Sequence, residues 1–544
     1  MAATGRAQTV VRRLLVYGIL FAMVAVAATG LAGLVERAVA GAAVLTTDDS
    51  GLALSLAFAV IGVPLAGLLW WWQRRRFADA AERESLVWAI YLAAMTTVSL
   101  VVSVTALATT ASEGMAGRWD PGAFATAIVW SGVWVWHRSM RRNRLTAPTR
   151  LAELPATLGW VFGLAVLAVG AIGALASLLG AALATVEPVL VSTRPWQVAV
   201  LQALVWAVVG AGVWSQHWYR EGGRAASGGF AQVALVVVVG ASAASTLFAV
   251  GTVLYVGMRL LFDADPVADV LAPLDLAIAV ALIGGIVWVF HSAVVAMRPD
   301  IVGRGARLVV SGVALIGAAS GFGVVVNALL ATLAPRILDD DPRTLLLGGL
   351  SALVVGLPVW WIAWRPTRAA SADDAADRAR RVYLVTIFGA SAVVAIVTVL
   401  LIGFRLFELA LGEVTGAGVI DRIRAPLGLL SATAVVFGYH FAVWRHDRSL
   451  ARPEPSRSTT AHVIVVAAAG ADTLRRGIRS ATGAAVSVLS VADEADGAAL
   501  RDDDLEAVLA SLARVDAPGV LVLRGDGGIR IVPVTRAPGD LESG

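Results

Sequence analysis

Charge is almost absent from twelve stretches of the chain, at residues 14–35, 52–73, 85–110, 121–138, 157–184, 197–218, 229–258, 274–296, 308–333, 344–364, 382–404 and 425–444. A helix rising about 1.5 Å per residue needs about 20 residues to cross a hydrocarbon core of about 30 Å. Each stretch therefore predicts a membrane-spanning helix, the fourth being the shortest. The first follows Arg12 and Arg13 and outruns a signal peptide's apolar run of about 7–15 residues, so it reads as an anchor. Polar positions between the stretches alternate in kind. Arg-rich ends such as "MRRNR" (140–144) follow the even helices, whereas "DADPVAD" (263–269) and "DDDPR" (339–343) follow odd ones and read as short turns. Past the Pro/Ser-containing linker at 451–461 the period shortens. It predicts strands at 462–468, 485–491, 519–524 and 528–534 and helices at 471–481 and 502–514, a β-α-β-α-β-β domain over 462–536 with a tail at 537–544. The fold class is thus an all-α polytopic membrane domain over residues 1–450 with a small C-terminal α/β domain.

The helices pair into six units, at about 10–78, 83–150, 155–224, 228–300, 306–368 and 380–448. In each, a long odd helix rich in Gly, Ala, Ser and Thr precedes a shorter even helix that ends in Trp with His or Arg, as in "VWVWHRSMRR" (133–142) and "VWSQHWYR" (213–220). "RRLLVY" (12–17) is echoed by "RRVY" (380–383), and "GVPLAGLLWWWQR" (62–74) by "GLPVWWIAWR" (356–365), with Pro64 and Pro358 each six residues before Trp70 and Trp364. These openings and closings resemble the actinobacterial membrane repeat known as domain-of-unknown-function family 5671. Units two, three and four lack the Pro, and their His137, His217 and His291 shift in register. The resemblance, over roughly residues 10–450, implies a repeated helical membrane fold and brings no activity with it.

Composition agrees: 58% of residues are hydrophobic and 15% charged, and the mean hydropathy is +0.78. Cysteine is absent, which excludes disulfides and thiolate chemistry. All 43 basic residues are Arg, which excludes a Lys Schiff base and a P-loop Lys. Up to residue 460, 26 arginines fall in the N-terminus and the segments after even helices, against nine after odd helices. Positive residues are retained on the cytoplasmic side, so both termini are expected there, in a multi-pass plasma-membrane protein. The basic face would attract anionic headgroups, and nothing points to nucleic acid.

The even-helix endings supply the first candidates: Trp136, His137, Arg138, Trp214, His217, Trp288, His291, Trp364 and Trp444, together with Trp72 and His440. Trp favours the membrane–water interface and Arg reaches headgroups from it, so interfacial anchoring is the expectation and recognition of an anionic lipid phosphate the alternative. Charged or polar residues in or beside the apolar runs supply the second: Glu36, Arg37, Arg259, Asn327, Arg405 and Glu408. Arg405 and Glu408 stand i,i+3 and can pair, and Asn327 suits an interhelical hydrogen bond. Gly159, Gly163, Gly170, Gly173, Gly317 and Gly321 suggest close helix approach. No catalytic, cofactor or metal constellation emerges, so the reading is a non-enzymatic protein with an assembly or sensing role, its partners the bilayer and a protein bound by the C-terminal domain. A parallel-repeat transporter or channel, or an anionic-lipid-binding protein, are the alternatives.

Overall fold

The structure, a computed structural model, describes residues 2–40, 49–184, 195–333, 342–368, 378–412, 418–450, 462–467, 472–490, 500, 504–512, 515, 517, 519–525 and 528–534. The linker at 451–461, the C-terminal tail and most of the "DDDPR" turn lie outside them.

All twelve apolar stretches are helical. In chain order they are α1 (Ala2–Val39), α2 (Asp49–Arg74), α4 (Leu86–Met115), α5 (Pro121–Arg142), α6 (Leu154–Leu183), α7 (Trp196–Ser215), α8 (Gly229–Phe262), α10 (Leu274–Ala296), α11 (Asp300–Ala331), α12 (Pro342–Arg368), α13 (Arg378–Ala410) and α14 (Val419–Leu450); α3 (Ala80–Arg83) and α9 (Val267–Leu271) are short connectors. Among the described residues eleven helices are long and apolar enough to cross a membrane. The exception is α5, where rings, His137 and Arg138 dilute the apolar run between Asp120 and Arg141. Its start is well specified: Pro121 opens the first turn and the Asp120 carboxylate accepts from the Ala123 N–H at 2.9 Å.

Five helix pairs, α1–α2, α4–α5, α6–α7, α8–α10 and α11–α12, pack along their length. Each odd helix also packs on the even helix of the following pair: α1 on α5, α4 on α7, α6 on α10 and α8 on α12. The last link of this kind joins α11 to α14, where a Cβ on Gly323 would lie 3.0 Å from the Gly428 carbonyl and the Arg424 guanidinium donates to Asn327 Oδ1 at 3.3 Å. Small residues permit these approaches. A Cβ on Gly356 would stand 2.7 Å from the Ala318 backbone nitrogen, so only glycine lets α12 lie that close to α11. Gly159, Gly163, Gly170 and Gly321 are comparably tight. Gly317 is not: nothing lies within 4 Å of the position its Cβ would take, and it lines a cavity between α8, α11 and α12.

The chain divides into two compact units, residues 1–369 with 382–441, and residues 370–381 with 442–544. Within the second lies a four-stranded sheet of order β2-β1-β3-β4, from β1 (His462–Ala467), β2 (Ala485–Ser490), β3 (Gly519–Gly525) and β4 (Gly528–Val534). β1 is parallel to β2 and β3, and β3 and β4 form an antiparallel hairpin. Helices α15 (Asp472–Thr482) and α16 (Leu505–Leu512) contribute Leu474, Ile478, Val508 and Leu512 to a core with Val463, Val465, Val520 and Val522. The β-α-β-α-β-β order read from the alternation is the order found; the "AAAGAD" turn and the acidic start of α16 fall largely outside the described residues.

Candidate functional site: buried imidazoles at the ends of the even helices

Four even helices carry a histidine at an equivalent place. His137, His217, His291 and His440 are all buried, and in each the ring Nδ1 lies 2.8 to 2.9 Å from the carbonyl of a valine four residues earlier: Val133, Val213, Val287 and Val436. A carbonyl only accepts, so Nδ1 carries a proton in each, and Nε2 is the nitrogen left to face the neighbouring helices. Each ring is enclosed by the helix array.

What meets Nε2 differs from one unit to the next. The Tyr91 hydroxyl, from α4, donates to His137 at 3.1 Å. His217 Nε2 lies 3.8 Å from the Glu221 carboxylate. His291 is stacked on Trp160 at 5.8 Å and edged by Trp218 and Phe290, and His440 sits among Trp364, Tyr383 and Tyr439. In these last two, Nε2 has no hydrogen-bond partner among the described residues. In the first hairpin the buried polar side chain near the end of α2 is Gln73, whose amide donates to Tyr17 Oη at 2.6 Å and to Glu82 at 2.8 Å. In the fifth, Trp364 is wholly buried, stacked on Tyr383 and donating to Tyr439 Oη at 2.8 Å.

Carboxylates complete the clusters, and none had been singled out from sequence. Glu82 receives Arg13 at 2.8 Å, Tyr17 at 2.9 Å and Gln73, which ties α1, α2 and α3. Glu221 receives Arg138 at 2.8 Å and Arg141 at 3.3 Å from the preceding hairpin. Burial pushes the Glu221 carboxyl up, but His217, Arg141 and Arg138 outweigh that and hold it below the usual carboxylate range. A π-turn at Gln216–Arg220 makes this possible: the widened turn lets adjacent His217 and Trp218 both point inward and brings Glu221 under the arginines. Arg380 and Asp447 pair at 2.8 Å in the sixth hairpin.

The remaining candidates are dispersed. Trp136, Trp214, Trp288 and Trp444 are half-buried. Arginines lie over tryptophan faces one turn back, Arg75 on Trp71, Arg76 on Trp72 and Arg448 on Trp444. Glu36 stands near Gly122 at the start of α5, and Arg37 is half-buried on the same turn of α1. Arg259 pairs with Asp263 at 2.8 Å and with Asp265, and Arg405 with Glu408 at 3.1 Å. Among the described residues no group of three or more His, Asp or Glu is placed to hold a metal ion.

Residues 13–134 and 304–438 match the model of a family described as "Domain of unknown function (DUF5671)". Both segments are similar to this domain. The two DUF5671 segments cover α1 to α5 and α11 to α14, four long helices apiece, and each stops just short of a buried histidine, His137 and His440. Residues 135–303 lie outside the match, which is narrower than the span suggested by the motifs. No curated protein and no solved structure matches the chain. The Arg-x-x-x-Tyr opening of the first segment is now physically intelligible, because Arg13 and Tyr17 both serve Glu82. A Val four residues before each His was the signal available in sequence for the shared imidazole position.

Proposed function

We propose that this is a non-enzymatic, multi-pass plasma-membrane protein built as six parallel hairpins in a row, with assembly or sensing as its role and the α/β domain as its contact to a protein partner. The observation that carries the reading is where the polar groups inside the helices go. Asn327, Arg259, Arg405 and the arginines around Glu221 are each met by a neighbour on their own or an adjacent helix, in different hairpins. A substrate pathway would gather such groups around a shared polar cavity. The recurrence of odd-on-next-even packing supports the repeat, and the arginine split supports cytoplasmic termini and a face suited to anionic headgroups.

The purified protein reconstituted in vesicles should give no ion or solute flux above that of empty vesicles. Removing residues 462–544 should shrink the complex extracted from native membranes by more than the mass removed. A saturable flux abolished by Asn327→Ala would replace this reading with transport. One observation favours that second reading: Asn327 lines a 560 Å³ cavity between α11, α13 and α14.

A further inference from the structure

Hairpins α8–α10 and α11–α12 leave a 430 Å³ groove between them, beside the C-terminal end of α10 and the start of α11. Its walls are apolar, Val239, Val310 and Ile362 among them. Ile362 is 71% exposed, so the groove opens onto the outer apolar flank rather than inward. Three hydrogen-bond donors also line it: the Trp288 indole, the Ser292 hydroxyl and the Arg307 guanidinium. None of the three has a partner among the described residues, and no carboxylate lines the groove. The contrast with Arg138, Arg141 and Arg259, all neutralised by carboxylates, is direct.

We propose that this groove holds an anionic phospholipid of the surrounding bilayer. Its phosphate lies against Arg307, Ser292 and Trp288, and an acyl chain lies along Val239, Val310 and Ile362. A guanidinium gives phosphate paired donors and a full charge that no nearby acid cancels. The apolar walls exclude a free anion as the preferred occupant, since a bare phosphate would leave them wet. A zwitterionic headgroup brings its own cation towards Arg307 and is disfavoured by like charge. The inference stands apart from the assembly or sensing role.

Native mass spectrometry of the full chain, titrated with phosphatidylglycerol or phosphatidylcholine, tests it. The wild type should retain phosphatidylglycerol preferentially, and Arg307→Gln should lower that retention about tenfold, as expected for loss of one charge-assisted contact. Arg307→Lys, keeping the charge, should preserve the preference. Gly303→Leu should lower retention of both lipids: Gly303 lines the groove and nothing stands within 4 Å of its Cβ position, so the added side chain fills the groove without displacing protein. Arg142→Gln, at an exposed arginine at the end of α5, should change nothing. Glycerol phosphate, a head with no chains, should not be retained. Equal retention of the two lipids by the wild type, a loss in Arg307→Gln no larger than in Arg142→Gln, or retention of glycerol phosphate matching phosphatidylglycerol would each overturn the proposal.

Discussion

At the scale of single residues, buried carboxylates fix where the arginines go. Glu82 is 3% exposed and receives a guanidinium, a phenol and an amide. Glu82→Ala leaves Arg13 without its carboxylate and the Tyr17 hydroxyl without its acceptor at a buried site, and breaking a buried pair from one side costs about 3–5 kcal/mol; thermal unfolding in detergent should show this loss, with Glu82→Gln in between. Glu221 adds a pH dependence whose sign follows from its lowered carboxyl. A folded-state value below the unfolded one gives stability that is complete above the usual carboxylate range and is lost as pH falls through the lowered folded value. The difference in melting temperature between wild type and Glu221→Gln should be constant near neutrality and shrink on acidification below that range. A difference that grows on acidification would contradict the ion cluster. These acids were not legible in sequence for a plain reason. Glu82 and Glu221 sit in short polar connectors where any acid looks solvated, and their arginines lie 69 and 83 positions away along the chain. The histidines had a visible pattern, Val four residues before each, but periodicity reports which residues share a helix face and not whether that face meets lipid, water or another helix.

At the scale of elements, the helices were legible because uncharged length alone decides them, and the small domain was legible because its strands alternate and its turns are marked by glycine. Helix-to-helix seams were only half legible. Glycine marks where a close approach can occur, but a glycine beside open space looks the same in sequence. Gly356 and Gly317 separate the two cases. Gly356→Val should force α12 off α11, because the new Cβ would stand 2.7 Å from the Ala318 nitrogen; the expected loss is about 1–3 kcal/mol of overpacking strain. Gly317→Val has open space around it and should leave the melting temperature unchanged or raise it slightly, since glycine is the poorer helix former. Equal effects of the two variants, measured in the same detergent, would mean that this seam is not the tight one.

For the whole molecule, whether α5 crosses the membrane decides on which side each terminus lies. Eleven helices meet the length and apolarity of a span, and α5 falls short of it. If α5 does not cross, everything after it inverts, and the C-terminal domain lies opposite the N-terminus. The packing argues for crossing: α5 runs along both α4 and α1, as α7, α10 and α12 each run along the first helix of their own pair and that of the preceding pair. Its end also supplies Arg138 and Arg141 to Glu221 at the end of α7, which puts the ends of these two even helices at one depth. A helix lying on the surface could not satisfy both contacts along its length. The arginine split points the same way, because 26 arginines against nine fall on one side only when α5 is counted as a span. Compartment-sensitive reporters fused after residue 458 and inserted within the turn at 339–343 should therefore report opposite sides, with the 458 fusion cytoplasmic. A third reporter, inserted between Gly117 and Asp120 at the start of α5, should agree with the 339–343 insertion. If it agrees with the 458 fusion instead, α5 and the seam it makes with α1 have been misassigned, and the parallel arrangement of the hairpins goes with them.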